Sequence, residues 1–97
     1  MTYNNFIHSL EDRNPPPDTG PYLEALWYEH QGDWEKAHGI VQDIHTWEAS
    51  WIHAYLHRVE GDNGNAGYWY HKANKPFSRL STREEWEEQV KYFSERK

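Results

Sequence analysis

The chain repeats itself. A register of 29 residues carries Ala25 onto Ala54, Gly32 onto Gly61, Asp33 onto Asp62 and Ala37 onto Ala66. Tyr28/His57, Val41/Tyr70 and Ile44/Ala73 fall into the same register. Such a repeat narrows the available folds more than composition does. Each unit must be one supersecondary piece that buries its apolar face against its neighbour.

Within each unit the apolar spacing has the helical period. Leu23, Leu26, Trp27 and His30 share one face of a helix opening at Pro21, where a missing amide donor does no harm. Gly32 supplies a left-handed C-terminal turn, and Asp33 caps a following helix with Trp34, Ala37, Val41 and Ile44 turned inward. In the second unit Thr46 caps a helix carrying Trp47, Trp51, Ala54, Tyr55 and Val59, which Gly61 stops. Asp62 then caps a helix with Ala66, Trp69, Tyr70 and Ala73, ending near Lys75 and Pro76. Nothing alternates with period two, so the spacing predicts an all-α fold.

The flanks extend this plan. Phe6, Ile7 and Leu10 predict a short helix over residues 3–12, with Asn4 or Asn5 as its cap. Pro15, Pro16 and Pro17 stiffen a connector over 13–20. A last helix over 81–97 opens with a capping box, Ser81 with Glu84 or Thr82 with Glu85, and closes on basic Arg96 and Lys97. Its stripe of Trp86, Val90 and Phe93 is narrow, which reads as a helix laid over the domain. The acidic run from Glu84 to Glu88 reads as its charged outer face, and Arg58 as a surface charge within reach of Glu60. The resulting organisation is one domain over 1–97, with unit one at 21–45 and unit two at 46–75.

A chain of 97 residues buries a modest share of its surface, so its core must be rich. Six Trp, seven Tyr and three Phe supply it. The formal charge of −6 and the lack of a basic cluster argue against nucleic acid. No cysteine is present, which excludes disulfides and thiolate chemistry. No apolar run reaches membrane-spanning length, and the N-terminus has no signal-peptide pattern, so a cytoplasmic location is expected.

The run Ala25-Leu-Trp-Tyr28 through Gly32-Asp-Trp-Glu-Lys-Ala37 resembles a tetratricopeptide (TPR) repeat, and Tyr68-Trp-Tyr-His-Lys-Ala73 resembles the end of a Sel1-like repeat. The longer pattern from Ala25 to Ala73 is similar to a family of short bacterial proteins that carries no assigned function. The resemblance implies two TPR/Sel1-like antiparallel helix pairs. Two units are fewer than a solenoid needs, so the N- and C-terminal helices are expected to cap the exposed ends.

That fold implies a non-enzymatic module that binds a protein, a peptide or a second copy of itself in a groove between helices. The residues expected to line the groove are Trp27, His30, Trp34, His38, His53 and His57. An alternative is a small-molecule or divalent-metal site. His53, His57 and Glu60 stand at i, i+4 and i+7 on one side of a helix, a spacing that can grip a cation, and His38 can turn toward them as a third imidazole. The plainer reading is that His57 fills the packing slot of Tyr28 and His53 that of Glu24. No nucleophile–base arrangement stands out, so no catalytic residue is assigned. No cofactor is expected beyond that possible metal. Deleting residues 81–97 is expected to lower the melting temperature by uncovering apolar surface, and an unchanged melting temperature would remove the capping role.

Overall fold

The two Gly-Asp turns set the architecture. In the computed structural model, which describes residues 1–95, Gly32 and Gly61 adopt φ of +87° and +86°. Around the first, the Asp33 amide donates to the Tyr28 carbonyl and the Gly32 amide to the Glu29 carbonyl, both at 2.9 Å. Around the second, Asp62 donates to His57 at 2.8 Å and Gly61 to Arg58 at 3.0 Å. These paired bonds satisfy carbonyls that a helix end leaves open. The same aspartates then turn and accept from Lys36 and Asn65, capping the next helix. Asn74, at φ +58°, repeats the left-handed stop without glycine.

Six helices follow among the described residues, with no strand: α1 (Tyr3–Ser9), α2 (Pro21–His30), α3 (Trp34–Val41), α4 (Trp47–Val59), α5 (Asn63–Lys72) and α6 (Thr82–Glu95). None is long and apolar enough to cross a membrane. α2 packs on α3, α3 on α4 and α4 on α5, while α6 touches α1, α2 and α4. Extents of 33 × 26 × 26 Å show that the flanking helices fold back on the middle of the chain. Phe6, Leu26, Ile52, Leu56 and Val90 have no exposed surface. Trp51, Phe93 and Tyr22 pack as tilted rings through the seam between α6 and the repeats.

Several boundaries differ from the sequence reading. α1 ends at Ser9, because the chain tightens into i to i+3 bonds over residues 10–12 ahead of the prolines. Its cap is Thr2, which accepts from the Asn5 amide at 3.1 Å, so neither Asn4 nor Asn5 is needed. Ile44 lies beyond the end of α3 but still packs on the core. Ser81 and Glu84 form the reciprocal capping box at 3.1 and 3.0 Å. The basic end expected at Arg96 and Lys97 lies outside the described residues.

The largest correction concerns the acidic run. Glu85 is not on an outer face but has no exposed surface. Its carboxylate accepts from Arg58 at 2.7 Å, Tyr70 at 2.6 Å and Trp51 at 3.3 Å. Arg58 is half-buried beside it, and its second nitrogen donates to the Leu80 carbonyl at 2.6 Å. Breaking a buried pair strands the remaining charge. Glu85→Ala should therefore destabilise the fold by about 3–5 kcal/mol in urea titrations, while Glu84→Ala, one residue earlier, should cost far less.

Candidate metal centre

α3 and α4 bring three histidines together. On α3, Trp34 follows the Asp33 cap, and His38 stands one turn later on the same face. The Trp34 indole N–H donates to the Leu56 carbonyl at 2.7 Å, pinning the start of α3 against α4. The indole then stacks on the His38 ring at 4.8 Å and 12°. On α4, His53 and His57 are one turn apart, with rings 4.8 Å apart and nearly parallel.

One ring nitrogen from each of His38, His53 and His57 lies within 4.8 Å of the other two. Nε2 of His38 and Nε2 of His53 are 3.0 Å apart, one donating its proton to the other's lone pair. Two nitrogens on a tetrahedral zinc ion are separated by roughly 3.3 Å, so this pair is already near ligand spacing. Glu60, reached from the C-terminal end of α4, accepts from His57 Nδ1–H at 2.6 Å. That bond fixes the tautomer and leaves Nε2 as the His57 nitrogen with a free lone pair. Trp69 on α5 stacks flat on His53 at 3.8 Å and 11°, with the Lys72 ammonium 4.8 Å from the indole.

Burial and neighbouring charges favour the neutral form of His38 and His53. His53 is pushed down to about 3, first by burial and then by the neighbouring His38, His57 and Lys72. His38 is lowered too, again chiefly by burial and then by His57, with Glu60 opposing. Neutral imidazole is the form that binds a metal. His38 is only partly buried, so the cluster opens to solvent on that side.

The structure divides the residues expected to share one groove. Trp34, His38, His53 and His57 meet as described. Trp27 is 2% exposed and donates its indole N–H to the Ser9 carbonyl, so it belongs to the core beside α1. His30 faces another groove and packs its ring on Trp86 at 4.9 Å. Glu60 sits behind His57, while His38 takes the third place. Asp62 also lies near His57 and Glu60, but its carboxylate is engaged by the Asn65 amide and side chain. Asn65 is held by that local cap and does not reach across to a neighbouring backbone. The spacing within α5 marks Trp69 for packing alone, and no pattern there separates a wall of the site from a wedge in the core.

Compared with known protein families, curated proteins and solved structures, the chain gives no match.

The His53 shift has a definite sign. Between about 6.5 and 3 the unfolded chain takes up a proton that the folded chain refuses. The stability involved is intact above that window and is lost as the pH falls through it. In metal-free protein, His53→Phe keeps a ring against Trp69 and should lose less stability than the parent between pH 7 and about pH 4.5, as read by urea midpoints.

Proposed function

We propose that this chain is a divalent-metal-binding domain whose ligands are His38, His53 and His57. The observation that carries the reading is the approach of three ring nitrogens to within 4.8 Å, two of them at 3.0 Å. Three imidazoles suit zinc and the neighbouring first-row metals, with a fourth position left to water or another ligand. Glu60 acts behind His57 as the carboxylate that orients a metal-bound histidine. In the metal-free form the His38–His53 hydrogen bond occupies one lone pair, so binding requires the donating ring to move its proton to Nδ1.

We read the scaffold as two TPR/Sel1-like helix pairs with α1 and α6 over their ends. Support comes from the 29-residue register and from the identical bonding at both Gly-Asp turns. The cluster then lies at the junction of the two units, α3 ending the first and α4 opening the second. The peptide-groove reading has less behind it, since Trp27 and His30 do not share a surface with the other four residues.

Titration of chelator-treated protein with Co²⁺ or Zn²⁺, followed by native mass spectrometry and visible absorption, should give one ion per chain and a tetrahedral cobalt spectrum. Saturation should raise the melting temperature. Glu60→Gln should weaken binding by roughly 10–100-fold, and His38→Ala, His53→Ala and His57→Ala by more. Binding that survives His53→Ala undiminished would end the proposal.

A further inference from the structure

α1, α2, α4 and α6 surround a groove of about 640 Å³, separate from the histidine cluster. That volume is in the range of small-molecule sites. Its walls are apolar and aromatic, with Tyr3 and Ile7 from α1, Tyr55 and Val59 from α4, and Trp86 from α6. The polar groups among them are Glu29 and His30 at the C-terminal end of α2 and Thr82, Arg83 and Glu87 on α6, and of these Glu29 is hydrogen-bonded to the Tyr55 wall.

Glu29 is poorly placed for a structural carboxylate. The end of a helix carries partial negative charge, which opposes an acidic side chain there. The residue is partly buried, so it also gives up solvation. Among the described residues, no lysine or arginine pairs with it, since Arg58 is held by Glu85 and Arg83 by Glu87. Its support is the Tyr55 hydroxyl, which donates to Oε1 at 2.6 Å. Oε2 has no protein donor among the described residues and is not sealed from solvent, and Glu29 lines the groove. Helix dipole and burial weigh against this carboxylate, and among the described residues His30 is the one cationic neighbour that offsets them, yet the fold aims a tyrosine at it.

We propose that the groove binds a small organic cation, an ammonium group on an apolar or aromatic body. The ammonium donates to Glu29 Oε2, and the body lies along Tyr3, Tyr55 and Trp86. The alternatives fit less well. An anion would face Glu29 and Glu87 against one arginine, Arg83, that Glu87 already pairs, and a neutral apolar ligand would bury the Glu29 carboxylate further without a partner. A cation supplies the missing charge and gains from the aromatic walls. Tyr3 already receives the Lys91 ammonium at 5.3 Å from its ring. Burial holds the Glu29 carboxyl above the usual range, with Tyr55 and His30 opposing, and an arriving ammonium would bring it down.

The proposal does not depend on the metal reading, and the test keeps them apart. Phenethylammonium chloride is titrated into ¹⁵N-labelled, metal-free full chain and followed by two-dimensional NMR. Saturable shifts are expected at the Glu29 and Tyr55 amides and the Trp86 indole N–H. Glu29→Gln keeps the size and accepts from Tyr55, and it should weaken binding about tenfold or more. Val59→Trp, filling the mouth from a position 39% exposed, should block binding with the rest of the spectrum unchanged. His53→Ala should leave binding as it was. No saturable shift up to about 10 mM, equal binding of phenylacetate, unchanged binding in Glu29→Gln, or loss of binding in His53→Ala would each overturn the proposal.

Discussion

The Glu85 carboxylate, with no exposed surface, joins α6 to α4 through Trp51 and Arg58 and to α5 through Tyr70. A carboxyl group with no exposed surface requires partners that converge on it, and Arg58, Tyr70 and Trp51 do so. The consequence reaches beyond α6. Trp51 and Arg58 lie on one side of α4, and at about 100° per residue His53 and His57 point roughly the opposite way. Fixing the rotation of α4 from the α6 side therefore aims both histidines at α3. Gln89 adds to the same seam by donating to the Trp51 carbonyl at 3.3 Å.

What the chain disclosed in advance was its local chemistry. A glycine that must take positive φ, an aspartate three residues before the amide it caps and a proline at a helix start act within one turn, so their signals survive without tertiary knowledge. The α-helical class followed from such signals together with the apolar period. The Glu85–Arg58 pair did not, because its members are 27 positions apart. Glu85 stands among three other glutamates that do face outward, and composition alone cannot mark which one turns in. The end of α1 was obscure for a related reason. Phe6, Ile7 and Leu10 keep the helical spacing even though the backbone has already tightened at Leu10.

The site was legible to the extent that it is helical. His53 and His57 are visible as an i, i+4 pair, and their meeting with His38 depends on how α3 crosses α4, which the Trp34–Leu56 bond settles. The repeat explains why the cluster occurs once. Where unit two has His53, His57 and Glu60, unit one has Glu24, Tyr28 and Gln31. Tyr28 receives the Lys36 ammonium at 4.5 Å, and Gln31 donates to the Leu10 carbonyl, tying down the turn after α1. Equivalent backbone positions thus serve docking in one unit and gather imidazoles in the next. Repeat symmetry constrains where a side chain stands but not what it does there.

α4 is the element on which these demands meet. Every residue from Glu48 to His57 is buried, although the segment includes Glu48, Ser50, His53 and His57. A helix enclosed on all sides is ordinarily apolar all round. Here each face meets a different partner. Trp51 and Arg58 turn toward Glu85, His53 and His57 toward His38, and Tyr55 toward Glu29. The last two faces carry the proposed metal and cation sites, and one rigid helix holds both. Buried polar groups of this kind require fixed partners, because an unpaired one costs more than the bond returns. That requirement explains why so small a chain surrounds α4 with large aromatic rings. Trp34 and Trp69 lie flat on His38 and His53, while the Trp34 indole edge bonds the Leu56 carbonyl.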